Sequence, residues 1–253
     1  MGYRLQSFQG PSLREGIEFC LDFFKFLKVN FKNKFGWKML NLALIIGLSY
    51  LVGSIPTSII VGKAVKGIDI RNYGSGNPGG TNVIRVVGLG WGIFVILFDA
   101  FKGFFATAFI SKWFYQGEIA TILNFTTVQI IAGCFSVIGH VWTVFAGFKG
   151  GKGVSTSAGM LLGIAPFDLL IALLVFIFIV ALTRYVSLGS IVSAILFPGI
   201  IFLTEKVLGV KHSDFMTLLI FGSAIAFLIV YRHKSNIKRL LSGTENKLIF
   251  GRK

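Results

Sequence analysis

The chain has 253 residues, of which 54% are hydrophobic and only 14% charged, and its formal net charge is +15. Soluble domains carry about 25% charged residues, so a surface this poor in charge excludes an ordinary soluble domain and makes the bilayer the simpler solvent. The basic excess fits anionic lipid or a phosphate-bearing substrate. It does not fit nucleic acid, because the charges stand at the ends of apolar runs instead of covering one soluble face.

Residues 1–38 mix Lys and Arg with acids, and Phe19, Phe23, Phe26, Leu27 and Phe31 recur at helical spacing. That pattern fits an interfacial amphipathic helix. A start at Met39 would instead leave the stretch outside the protein, and no function is assigned to it. It lacks the uncharged run of a cleavable signal peptide. Residues 39–253 are expected to form one membrane domain.

A spanning helix needs about 20 apolar residues. Leu40–Gly62 qualifies without a charge, and Val86–Ile110 is interrupted only by Asp99 and Lys102. Ionisable groups inside such a run are costly unless paired, and their spacing of three puts this pair on one helix face as an expected ion pair. Ile119–Gly139, Tyr185–Leu203 and Phe215–Tyr231 are uncharged. The run 157–182 contains Pro166 and Asp168, and a proline break there turns one segment into two. The expected fold is therefore an all-α polytopic membrane bundle of about seven helices.

With that break, Lys63, Lys66, Arg71, Arg85, Lys149, Lys152, Arg184 and the basic tail beyond residue 231 fall on one side. The opposite loops hold only Lys112, Lys206 and Lys211. Such an asymmetry places the richer side in the cytoplasm. Cys20 and Cys134 imply no disulfide framework, since Cys134 lies within an apolar run.

Two loops on the basic side have an anion-binding composition. The first is Gly74-Ser75-Gly76-Asn77-Pro78-Gly79-Gly80-Thr81-Asn82, followed by Arg85. It matches a dinucleotide fingerprint only formally, because no βαβ unit surrounds it. Its glycines still let backbone N–H groups approach an anion, Asn and Thr add neutral donors, and Arg85 offers a bidentate fork. A helix beginning at Thr81 or Asn82 would add its N-terminus. The second is Gly139-His140, then Phe145 to Thr156, with Lys149, Gly150, Gly151, Lys152 and Gly153 at its centre. It is not a Walker A loop, since Ala146 and Gly153 stand where Gly and Ser or Thr belong. Thr183–Ser190 is a weaker third segment, and Arg232 to Glu245 a richer fourth. His140 reads equally as a satisfied helix-end histidine and as a proton carrier. No metal cluster is visible and no cofactor is expected.

In order, these segments resemble the bacterial acyl-phosphate:glycerol-3-phosphate acyltransferase family. The Ser-Gly-Asn-x-Gly-Ala-Thr-Asn…Arg pattern is met at Ser75–Arg85, with Gly80 for Ala. The Gly-His…Phe-Lys-Gly-Gly-Lys-Gly-Val-Ala-Thr pattern is met at Gly139–Thr156, with Ser155 for Ala and Thr143 near a usual proline. Asp99, Lys102 and Gly103 match Asp-x-x-Lys-Gly, Arg184–Ser190 the Ser-rich motif, and His233–Leu240 the tail motif, with Lys234 for Arg. The resemblance covers about residues 40–250.

It implies a seven-helix protein of the bacterial inner membrane with a site facing the cytoplasm. The implied reaction moves an acyl group from acyl phosphate to the C1 hydroxyl of glycerol-3-phosphate, giving 1-acyl-glycerol-3-phosphate. The soluble enzyme that makes acyl phosphate is an implied partner, and membrane lipid surrounds the chain. No histidine is followed by Asp five positions later, which disfavours the acyl-CoA type: His140 leads to Phe145, His212 to Thr217 and His233 to Lys238.

The expected catalytic residues are Ser75, Arg85 and Lys152, with His140 as a dispensable proton carrier. Gly76, Asn77, Gly79, Thr81, Asn82, Lys149, Gly150, Gly151, Ser187, Asn236 and Arg239 are expected to bind substrate, and the substrate's own phosphate to accept the proton. A transporter for an organophosphate is the competing reading, weakened by motifs gathered on one face and by the lack of an inverted repeat.

Overall fold

The computed structural model describes residues 34–116, 119, 120 and 122–248. The expectations for residues 1–33 lie outside the described residues, and 34–38 open the first helix. Among the described residues every regular element is helical. The helices are α1 (Lys34–Ser54), α2 (Thr57–Lys66), α3 (Gly80–Val86), α4 (Leu89–Phe105), α5 (Phe125–Val141), α6 (Val154–Ile164), α7 (Pro166–Thr183), α8 (Val186–Lys206), α9 (Phe215–Arg232) and α10 (Lys234–Leu241). A π-helical turn, Ala106–Ile110, and a last turn, Ser111–Phe114, prolong α4.

Among these, six helical stretches are long and apolar enough to cross a bilayer. The break expected at Pro166 is present: α6 ends at Ile164 and Pro166 opens α7. Yet α6 has 11 residues, about 16 Å at 1.5 Å per residue, against about 30 Å of hydrocarbon. It is shorter than a full span, so the described residues give six helices of spanning length, with this short helix beside them.

Two other boundaries differ from the apolar runs. The first run is cut between α1 and α2 at Ile55-Pro56, because Pro56 lacks the N–H that would continue the ladder. The second membrane helix begins at Leu89, not Val86, because Gly88 adopts φ 136° and separates it from α3.

Lipid supplies no hydrophobic drive between helices, so close backbone approach has to hold them. Small residues provide it. A Cβ on Gly53 would collide with the Ser136 backbone, and one on Gly139 with the Tyr50 carbonyl, so α1 and α5 touch backbone to backbone. Gly103 against Thr156 and Gly159 against Ala100 do the same for α4 and α6. Outward, Leu97, Phe178 and Phe227 remain 64%, 62% and 74% exposed, surfaces suited to hydrocarbon.

At one end of the bundle, polar groups clasp three elements. His212 Nε2 lies 2.8 Å from Asp168 Oδ2 and its Nδ1 2.8 Å from Glu205 Oε2. The Thr204 hydroxyl donates to Asp168 at 2.5 Å. Beside it, Asn124 and Asp214 cap α5 and α9 and hydrogen-bond each other at 2.8 Å. The opposite end carries the glycine loops.

Candidate active site

The first glycine loop is organised from inside by Asn82, which is 1% exposed. Its Oδ1 accepts from the Ser75 N–H at 2.9 Å, and its Nδ2 donates to the carbonyls of Ile70 and Tyr73 at 3.1 and 2.9 Å. With its amide spent on three loop groups, Asn82 shapes the loop from behind and lies off the cavity wall described below. Gly74 and Gly76, at φ 60° and 70°, supply the left-handed turns. α3 begins at Gly80, so Thr81 lies inside it and not at its start.

The second loop leaves α5 and packs back on that helix. The Gly150 N–H donates to the Val141 carbonyl and the Gly151 N–H to the His140 carbonyl, both at 3.1 Å. A Cβ on Gly150 would strike the His140 carbonyl, and one on Gly151 the His140 ring. These glycines therefore serve close packing, and their N–H groups are not free for an anion. Arg232 holds the loop's other side, its Nη2 donating to the Gly151 and Gly150 carbonyls at 3.2 and 3.5 Å. Gly153, at φ 84°, turns the chain into α6.

Between the loops and the tail lies a cavity of about 530 Å³. The first loop contributes Ser75, Gly76, Asn77 and Pro78; the second Phe148, Lys149, Gly150 and Lys152. Arg71, Trp142, Tyr231, Arg232, Lys234, Ser235 and Arg239 complete the wall. The lining includes six cations and no carboxylate. Of the expected residues, Ser75, Gly76, Asn77, Lys149, Gly150, Lys152 and Arg239 meet here, while Gly79, Thr81, Asn82, Gly151, Arg85, His140, Ser187 and Asn236 stay off the wall.

Behind the wall sits a carboxylate that sequence reasoning left without a role. Glu245, 8% exposed, accepts from Ser187 Oγ at 3.0 Å, Asn236 Nδ2 at 2.8 Å and Arg239 Nε at 2.7 Å. Burial would raise its pKa, but those three donors outweigh burial and hold it below the ordinary carboxylate value. Ser187 and Asn236 thus reach the site through Glu245. Lys152 Nζ, in turn, donates to Asn236 Oδ1. Burial pulls the Lys152 ammonium down to about 8; Glu245 opposes the shift, and Arg239, Arg232 and Arg85 add to it. Arg85 is lowered chiefly by burial and donates to the Asn246 carbonyl at 3.0 Å, so it secures the tail segment.

His233 is held down at about 4, mainly by burial, with the Lys152 charge adding. It is therefore neutral near pH 7. Its Nδ1 lies 2.7 Å from the Ile229 carbonyl, which can only accept, so that nitrogen carries the proton.

Sequence reasoning gave no site role to Arg71, Trp142, Tyr231, Arg232, Lys234 or Ser235. Arg71 is tied to Asp69 at 2.6 Å and donates to the Ala146 carbonyl at 3.1 Å, joining the two glycine loops. That pairing holds Asp69 at about 2. Arg71 stands just before the first glycine motif, and only folding brings it to Ala146 of the second; Arg232 lies far along the chain from both motifs.

Fold and cavity together define a polytopic membrane protein with a cation-lined chamber at one end of its helical bundle. The chain belongs to the glycerol-3-phosphate acyltransferase family, whose profile matches residues 43–243, and it is an acyltransferase. Glycerol-3-phosphate acyltransferases of Chlorobaculum parvum and Chlorobaculum tepidum are each 50% identical to it over 231 residues, covering 85% of this chain and 100% of theirs. Among solved structures it is similar to PlsY (YgiH), an integral membrane glycerol 3-phosphate acyltransferase. The glycerol 3-phosphate form gives a TM-score of 0.69 at 36% identity, over 82% of this chain and 96% of that one. The lysophosphatidic acid form gives 0.67 at 35%, over 82% and 95%.

Proposed function

We propose that this acyltransferase moves a fatty acyl group from acyl phosphate to the C1 hydroxyl of glycerol-3-phosphate, at a site open to the bacterial cytoplasm. The products are 1-acyl-glycerol-3-phosphate and inorganic phosphate. The observation that carries the reading is the cavity itself, where two loops from distant parts of the chain and the basic tail enclose a space for two phosphate groups. The relatives' glycerol 3-phosphate and lysophosphatidic acid forms fit the acceptor and product.

In this mechanism the glycerol C1 oxygen attacks the acyl carbonyl carbon, and the bond from that carbon to the bridging phosphate oxygen breaks. Phosphate is a good leaving group, and its oxygen takes the hydroxyl proton. The residues position the reactants and stabilise charge. Lys152 and Lys149 face the phosphates, while Ser75 and Asn77 offer neutral donors from across the cavity. Glu245 holds Asn236 and Arg239 in place. His140 lies off the cavity wall, which fits a reaction that uses the substrate's own phosphate as base. A soluble enzyme that makes acyl phosphate would supply the donor.

Donor choice tests the reading. Purified protein given glycerol-3-phosphate should form lysophosphatidate and phosphate one for one from acyl phosphate, and no product from acyl-CoA. Product from acyl-CoA alone would refute it.

A further inference from the structure

A second polar centre lies behind the glycine loops, away from the cavity. Lys102 and Asp99 on α4 are 1% and 3% exposed, and their charged atoms are 2.6 Å apart. Burying such a pair is costly unless its remaining bonds are satisfied, and here they are satisfied by the break in the first membrane helix. Lys102 Nζ donates to the Ile55 carbonyl at 2.8 Å, just before Pro56 interrupts the ladder. The Thr57 hydroxyl donates to Asp99 Oδ1 at 3.1 Å.

His140 approaches the same Asp99 oxygen with Nδ1 at 3.8 Å, past direct hydrogen-bond reach. The gap is part of a small cavity of about 10 Å³, lined among others by Thr57, Pro78, Asp99, His140, Gly150 and Gly151. A polar space of that size holds one water, and one water spans such a distance. The other edge of the His140 ring lies against Gly151, whose position also brings it beside the Pro78 carbonyl of the first loop. The cluster thus touches both loops that build the cavity.

We propose that Asp99, supported by Lys102 and Thr57, is a positioning residue that holds His140 through a single bridging water. His140 in turn sets the spacing of Pro78 and Gly150-Gly151, and so the affinity of the cavity for phosphate. No proton passes along this chain. The inference rests on the acyl-transfer reading of the cavity.

The test is steady-state kinetics on purified, full-length protein with acyl phosphate and glycerol-3-phosphate. The double variant Asp99→Asn, Lys102→Met removes both charges together, leaving neither buried alone. It should raise KM for glycerol-3-phosphate about tenfold, the effect of losing a charge-assisted hydrogen bond, with kcat and its pH profile little changed. His140→Leu should behave alike. His140→Asn, which keeps a donor where Nδ1 stands and does not titrate but lacks the ring edge against Gly151, should recover only part of the KM lost in His140→Leu.

Wild-type KM in the double variant would overturn the proposal. So would a folded His140→Asn protein with normal KM whose kcat collapses and whose pH profile loses a limb, since that marks a proton carrier. Should the double variant fail to insert, Thr57→Val removes only one hydroxyl from Asp99, and an unchanged KM there would also overturn it. A wild-type protein that forms no lysophosphatidate would sink the function reading instead, so the two failures are separable.

Discussion

Lys152 shows how one side chain ties fold to chemistry. It lies on the cavity wall and donates to Asn236, which is itself anchored on Glu245. Burial lowers it to about 8. A lysine is a cation below its pKa and neutral above it, so its hold on phosphate is present below about 8 and fades as pH rises past that value. KM for glycerol-3-phosphate should therefore climb above about pH 8, and Lys152→Arg, charged throughout, should flatten the rise. Initial rates across that range check this; a KM indifferent to pH in the wild type would count against it. The lysines of this loop were legible because glycines and cations so dense have few other uses. Asn82 was not, since composition cannot say which amide turns inward to satisfy its own loop. Glu245 was hidden for another reason. It is the one acid in the basic stretch from residue 232 to 253, and its partners Ser187 and Asn236 meet it only after folding.

Helices were legible as apolar runs, because lipid leaves backbone groups no partner but themselves. Their ends were less so. Proline at residue 56 was an available signal for the break before α2, whereas the length of α6 depends on how deeply the glycine loop sits against α5. The clasp of α7, α8 and the loop before α9 was invisible, because Asp168 meets Glu205 and His212 from far along the chain, and the seven-residue spacing of those two marks no common face. Both imidazole nitrogens of His212 face carboxylate oxygens, so both donate and the ring is cationic. Burial works against the charge, but the hydrogen bonds to Asp168 and Glu205 prevail and raise its pKa. A raised histidine stabilises fully below its unfolded value, about 6.5, and that stability is lost as pH climbs through the folded one. The unfolding temperature in detergent should fall over that interval in the wild type and stay level in His212→Gln. An equal fall in both would show that the clasp is not its source.

At the scale of the whole molecule, the chain spends its charge unevenly. One end carries the clasp; the other gathers segments from residue 71 to residue 245 around one cation-lined chamber, within reach of lipid. Sequence order alone placed the glycine motifs on a common face, through the alternation of apolar runs and loops. It did not show that Arg71 would join those loops or that Arg232 would pin the second, because both depend on how the helices pack.

The most direct test of the shared chamber is cysteine labelling in sealed vesicles, with Cys20 and Cys134 replaced by serine. Cysteines placed one at a time at Asn77, Lys149 and Ser235 should react with a membrane-impermeant thiol reagent from the same side and be protected by glycerol-3-phosphate, while one at Lys211 should react only from the other. Labelling of positions 77 and 149 from opposite sides would contradict the account.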